Sequence, residues 1–301
     1  MTSGPKPGAR RRVIVDIDPA MGIPFRDVDD ALALLLLIAS PNIDLVAATV
    51  NFGNAPVDRG CEIAEDVLRR AGATVPVFRG AASASEIGRP SPAVDALIRL
   101  VRERPGTISL VAVAPLTNVA TAMMLDHRFA DDLCELVVMG GSLEFGPFAR
   151  WGEFNFRSDP VAAKVVLSSP VPKTIITMDL CTQAVFTKRE IALLEAKGGP
   201  MQKWIADRIK VWRFVNSAVF RSGGFYPWDA VAAARVIDPS LFEERPLFLR
   251  TRAWGRRRGS ISSYREAENF HDAGGETPFD VPRRFDADRF MKMFLDALLS
   301  F

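Results

Sequence analysis

Histidine and tyrosine are nearly missing from this 301-residue chain, at two residues each, and cysteine occurs only three times. With His127 and His271 as the only imidazoles, a histidine general acid has almost no material to draw on. Cys61, Cys134 and Cys181 are odd in number, widely spaced and free of any CxxC pairing, which argues against a disulfide framework or a zinc site and fits a reducing cytoplasm. An excess of one charge is also lacking: 38 basic and 36 acidic residues leave a formal +2, so there is no global electrostatic reason to bind nucleic acid. The local run WGRRRGS at 254–260 reads as a solvated hairpin turn. The longest apolar run, ALALLLLIA at 31–39, has nine residues where a membrane span needs about 20, so it is a core helix and no membrane partner is expected. MTSGPKPGARRR is followed by only three apolar residues before Asp16 and so lacks the apolar core of a signal peptide. Residues 1–12 read as a flexible leader and 13–301 as one domain.

What is present is a regular alternation. The short runs RRVIVDID, IDLVAATV, TVPVF, TISLVAVA, CELVVMGG and KTIITMDL are separated by helical stretches such as APVDRGCEIAEDVLRRAG and PLTNVATAMMLD. Strands of about five or six residues joined by helices predict a doubly wound α/β fold, a mostly parallel sheet flanked by helices. In such folds ligands bind beyond the carboxyl ends of the strands, and polar clusters lie at those ends here: DIDP, NFGN, APLTN and MGGS. Residues 184–228 read as a helical, aromatic elaboration. RPLFLRTRAW and SISSYRE suggest a small C-terminal hairpin, and RFMKMFLDALLSF a closing helix.

The stretch DIDPAMGIPFRDVDD at 16–30 places Asp16, Asp18, Asp27, Asp29 and Asp30 in one loop with a single arginine. Crowded carboxylates repel, so the arrangement calls for a cation or a protonation role. Asp16 and Asp18 alternate at a strand end, and period-two alternation puts both on one side. Asp29 and Asp30 open the next helix, where the dipole favours them, but capping needs only one acid. Four acidic groups converging without a histidine suit a hard cation such as Ca²⁺ or Mg²⁺.

DID followed by DVDDALALLLL resembles the calcium motif of the nucleoside hydrolase family, enzymes that cleave the N-glycosidic bond of ribonucleosides. ATVNFGN (48–54), VAVAPLTNVA (111–120), VVMGGS (137–142), EFNFRSDPVAA (153–163) and WDAVA (228–232) follow in the family's order and spacing, through most of the chain. The resemblance implies Ca²⁺ held by Asp18, Asp30, the Val113 carbonyl and Asp229, with Asp18 as general base. It implies ribose contacts from Asp29, Asn54, Glu153, Asn155 and Met139; for Met139, strand-end packing is the competing reading. It also implies a nucleoside or other ribosyl substrate, salvage of nucleosides, and a homodimer or homotetramer.

Several positions depart from the family pattern. Ten residues separate Asp18 from Asp29 where many members have three, which leaves Asp27 without a role. Trp228 stands where pyrimidine-using members place a histidine; the Trp-Asp pair resembles purine-preferring members, so Trp228 is expected to contact the base and a purine preference follows. SASEIGRPSPAV runs straight into DALIRLVRE, so the family's lid over the base is shortened or absent, and Pro147 takes the place of an asparagine. Trp204, Trp212 and Phe220 are spaced as a buried helical stripe and read mostly as core, and Arg221 either approaches the base or is solvated. Two other readings compete. One is a ribose-binding protein that keeps Ca²⁺ without turnover. The other is a haloacid-dehalogenase-like phosphatase, which shares the DxD but lacks the EFN and PLTN blocks.

Overall fold

The computed structural model describes residues 10–144, 146–266 and 279–301. Residues 1–9 of the expected leader and His271 lie outside the described residues, as does the side chain of Pro147.

The strands are β1 (Arg11–Ile17), β2 (Ile43–Val50), β3 (Val77–Arg79), β4 (Ile108–Ala112), β5 (Glu135–Met139), β6 (Lys173–Ile176), β7 (Pro246–Thr251), β8 (Ile261–Glu266) and β9 (Phe279–Asp280). They form one nine-stranded sheet in the order β3-β2-β1-β4-β5-β6-β9-β7-β8. The first six strands are parallel, β9 continues parallel to β6, and β7 and β8 close the edge antiparallel. The expected doubly wound sheet and C-terminal hairpin are both present, and 254–258 is the exposed turn between β7 and β8. β9 was not read from the sequence, because two residues carry no periodicity.

Both sheet faces are covered, and the strands show it residue by residue. Val13, Val15 and Ile17 of β1 join one core with Val111 of β4 and Val137 and Met139 of β5. Ile14, Leu110, Ala112, Leu136 and Val138 join the other. This is the period-two alternation of a strand buried on both sides. The helix Asp29–Ala39 packs on the first face with every residue from Asp29 to Leu37 buried, which is why its sequence is apolar all round. The helix Thr117–Leu125 packs on the second.

β1 is flanked by β2 on one side and β4 on the other, so the connections leave it in opposite directions. A crevice forms beyond the carboxyl ends at such a switch point. DIDP and the segment following β4 both lie there.

Between β6 and β7 the chain is helical, with helices Lys188–Lys197, Pro200–Phe220 and Trp228–Ile237. The first begins with a reciprocal capping box between Thr187 and Glu190 and ends at Gly198 in the left-handed region.

Candidate active site

A cavity of about 210 Å³ opens at the switch point. Of the ten site residues read from the sequence, Asp29, Asn54, Val113, Met139, Glu153, Asn155, Trp228 and Asp229 line it, while Asp18 and Asp30 lie buried beneath. The strand ends deliver these residues from distant parts of the chain, and the hydrogen bonds around them show how each is held.

Asp18 follows directly on β1. Its Oδ2 accepts the Asn54 N–H at 2.5 Å, and its own N–H donates to Asp30 Oδ1 at 2.9 Å. The Asn54 N–H reaches Asp18 because Gly53, at φ +155°, has no side chain; a Cβ there would collide with the Asp18 carboxylate. Asp30 and Asp29 open their helix, and Asp229, in the first turn of helix Trp228–Ile237, donates its N–H to Asp29 Oδ2 at 3.3 Å. Asp29, Asp30 and Asp229 can each offer an oxygen within 4.8 Å of the others.

Two expectations shift at this point. Asp29, read as a ribose contact, belongs to the close carboxylate triplet, whereas Asp18 is joined to it through Asp30. Asp16 stands outside the triplet, although its carboxyl still feels the Asp30 charge. β1 ends at Ile17, so strand alternation does not carry to Asp18, and the two side chains meet different partners. Asp16 Oδ1 accepts from Thr49 Oγ1 at 2.6 Å and Asn118 Nδ2 at 2.8 Å, which makes it a strut under the site. Asn118 Oδ1 in turn accepts the Ala81 N–H at 2.9 Å, tying β1 to the segment after β3.

The EFN block is built by capping. Glu153 is the N-cap of the helix Phe154–Ser158; its Oε1 accepts the Asn155 N–H at 2.7 Å and its Oε2 the Gly141 N–H at 3.0 Å. Asn155 Nδ2 donates to the carbonyls of Val113 at 2.9 Å and Met139 at 3.2 Å. The Val113 carbonyl therefore faces the site with a second lone pair free for another ligand. Asp159, two residues after the block's arginine, caps the helix Pro160–Leu167 and accepts from Thr117 Oγ1 at 2.7 Å.

Electrostatically the floor is under strain. Burial pushes the Asp16 and Asp30 carboxyls up to about 7. Burial, and then a neighbouring carboxylate, raises Asp18 (Asp30), Asp29 (Asp229) and Asp229 (Asp30) well above the usual range. Asp18 Oδ1, Asp30 Oδ2 and Asp16 Oδ2 are buried without a hydrogen-bond partner. A close group made of aspartates alone, with orphaned oxygens and a carbonyl beside it, makes a fitting set for a hard cation.

The opposite wall is aromatic. Trp228, 6% exposed, packs against Tyr226 (centroids 4.8 Å apart) and Phe220 (6.0 Å), so it is both a core residue and a cavity wall. Trp212, Asn216 and Phe220 of helix Pro200–Phe220 also line the cavity, as do Phe148, Phe154, Met178 and Asp27. Met139 likewise packs at its strand end while lining the site. The spacing alone gives Asp27 no role and makes most of the aromatic helix core; only the tertiary placement reveals the inner face. Arg221 is exposed at the left-handed end of that helix and does not line the cavity, and His127 is exposed too. No residue of 81–91 lines the cavity.

This geometry has counterparts among known proteins. The family model described as inosine-uridine preferring nucleoside hydrolase matches residues 13–292. The pyrimidine-specific ribonucleoside hydrolase RihB of Shigella sonnei is 29% identical over 268 residues, covering 80% of this chain and 82% of that protein. Two solved structures share the fold. A plant nucleoside hydrolase, PpNRh1, gives a TM-score of 0.85 at 23% identity, over 97% of this chain and 99% of its own. A purine-preferring ribonucleoside hydrolase from Gardnerella vaginalis gives 0.85 at 24% identity, over 96% and 98%. The phosphatase reading falls with these matches. Metal dependence, which the family shares, agrees with the acidic floor. With a carboxylate cluster at the switch point and a family match spanning nearly its whole length, the chain belongs to the nucleoside hydrolases and hydrolyses the N-glycosyl bond of nucleosides.

Proposed function

We propose that this hydrolase uses Ca²⁺ and prefers purine ribonucleosides, releasing ribose and the free base. The observation that carries the reading is the union of one carboxylate floor and one aromatic wall in a single cavity. Asp18, Asp30, Asp229 and the Val113 carbonyl would hold the ion, with Asp29 close enough to share it. When bound, Ca²⁺ supplies Lewis acidity toward water and a contact for ribose 2′ and 3′ hydroxyls.

The chain's own residues do the rest. Asp18 accepts the proton of the attacking water, and its partnerless Oδ1 is the atom available for it. Asp29, Asn54, Glu153 and Asn155 orient the ribose, with Met139 against the sugar. As the glycosidic bond stretches, positive charge grows on the ribosyl group, and the carboxylates beneath stabilise it. Trp228 stacks on the base and raises its basicity, so that solvent protonates the leaving group without a histidine. The enzyme serves nucleoside salvage in the cytoplasm as a homodimer or homotetramer, folded as a single domain over residues 13–301.

The similarity to a pyrimidine-specific relative favours a second reading, in which pyrimidine nucleosides are the better substrates. Base release from inosine, adenosine, guanosine, uridine and cytidine, with and without chelator, decides between them. The expected outcome is chelator-sensitive release led by the purines, reduced about 1,000-fold by Asp18→Asn. Release led by uridine would replace the purine preference with the second reading, and release indifferent to chelator would remove the Ca²⁺ assignment.

A further inference from the structure

Trp212, Asn216 and Phe220 are spaced four residues apart on helix Pro200–Phe220 and all face the cavity, so they form a single inner stripe. Asn216 is 1% exposed, and neither its Oδ1 nor its Nδ2 has a hydrogen-bond partner. The Trp212 indole Nε1 is buried and partnerless as well. Buried polar atoms are normally paired, so one acceptor and two donors left open on one wall of a cavity mark a place where a ligand supplies the partners. Their surroundings are apolar and flat-sided, with Phe148, Phe220 and Trp228 lining the same space. The strand-end carboxylates and asparagines, which suit sugar hydroxyls, belong to the other wall.

We propose that Asn216, assisted by the Trp212 indole N–H, is the specificity-determining residue that reads the edge of the leaving base. The proposal rests on the nucleoside reading of this cavity and extends it to a hydrogen-bonding pair. A carboxamide presents a donor and an acceptor side by side. Its complement is a heteroaromatic ring carrying an adjacent acceptor and donor, such as O6 and N1–H of hypoxanthine or O4 and N3–H of uracil. The indole N–H adds a donor for a neighbouring ring acceptor. Asn216 takes no part in bond cleavage: it selects which base is held while the carboxylate floor acts on the sugar.

The test compares each nucleoside with an analogue that cannot satisfy the amide: inosine with purine riboside, which lacks O6 and N1–H, and uridine with 3-methyluridine, in which N3 is blocked. 4-Nitrophenyl riboside, whose leaving group carries no adjacent ring acceptor and donor, serves as the reference for the hydrolytic machinery. In the wild type kcat/KM is expected to favour the parent nucleoside by roughly 10- to 100-fold. In Asn216→Leu, and in the smaller Asn216→Ser, the ratio should collapse toward one, with a smaller loss on 4-nitrophenyl riboside than on either parent nucleoside. An unchanged ratio, or an equal loss on every substrate including 4-nitrophenyl riboside, overturns the assignment. Absence of wild-type turnover on 4-nitrophenyl riboside and on both parents counts instead against the hydrolase reading. The same nucleoside pairs are then ranked by dissociation constants from tryptophan fluorescence, and a ratio that Asn216→Leu leaves unchanged there overturns the base-reading role.

Discussion

The floor and the wall of the cavity are made in opposite ways. The floor comes from strand ends and helix starts that the sheet fixes. Asp18 receives the Asn54 amide through the space left by Gly53, Asp30 receives the Asp18 amide, and Asp16 is gripped from β2 by Thr49 and from the helix after β4 by Asn118. The wall's long helix has an open outer face, with Val211, Phe214 and Val219 exposed, and its polar atoms at the cavity, Asn216 Oδ1 and Nδ2 and Trp212 Nε1, have no partners among the described residues. The difference teaches where chemistry and selection each live. Asp16, Asp18 and Asp30 are each held through one oxygen and keep the other open, whereas the wall's amide and indole at the cavity have no hydrogen bond at all until a ligand arrives.

Three experiments would break or sharpen this contrast. The largest effect is expected from Asp229→Ala, which removes one member of the triplet and should weaken Ca²⁺ binding by roughly 100-fold or more in equilibrium dialysis. An unchanged affinity would move the ion elsewhere.

Next comes the dependence of stability on pH. Asp16 and Asp30 titrate at about 7 in the folded chain against 3.8 for a free carboxyl, so the folded state keeps protons that the unfolded state releases. Stability in chelator is therefore full below about pH 4 as far as these groups are concerned, and falls as the pH rises toward about 7. The melting temperature in chelator should be higher at about pH 5 than at about pH 8, and added Ca²⁺ should stabilise more at the higher pH. Equal melting temperatures in chelator at both pH values would mean that the floor carries no such strain.

The smallest effect is expected from Thr49→Val, which deletes the 2.6 Å donor to Asp16 and should cost about 1–3 kcal/mol in urea unfolding. The reverse change Val211→Thr on the exposed face of the wall helix, where nothing is gripped, should be close to neutral.

How much of this could be read from the chain alone follows the same division. β1, β2, β4, β5 and β6 were legible because each carries an apolar run that is largely buried, β3 is a half-exposed edge strand marked only by its β-branched run, and the four polar clusters stood at strand carboxyl ends as the fold requires. The acids of DIDP and DVDD were legible as a group because they are local in sequence. Asp16 was misplaced because alternation ends with the strand, one residue before Asp18. Asn216 was invisible because an amide within an amphipathic aromatic helix looks like any boundary position. Only the packing of Trp228, Tyr226 and Phe220 shows which side of that helix faces the cavity. Asp27 attracted notice as an extra acid, but nothing in the spacing showed that the longer loop would carry it to the cavity rim.

The two-residue strand β9 has a consequence for how the chain assembles. It lies between β6 and β7, so the hairpin of β7 and β8, complete by residue 266, reaches the sheet only through residues 279 and 280. Asp280 fastens the seam: its Oδ1 accepts the Arg245 N–H at 2.9 Å and its Oδ2 faces Arg235 at 3.5 Å. As the polypeptide leaves the ribosome, the hairpin can already rest on the helix Pro160–Leu167 through Leu247, Leu249 and Ile261, but its pairing with the sheet must wait for a segment made after it. The antiparallel edge is therefore joined to the ladder by the last strand of the sequence, a non-local pairing in the life of the chain.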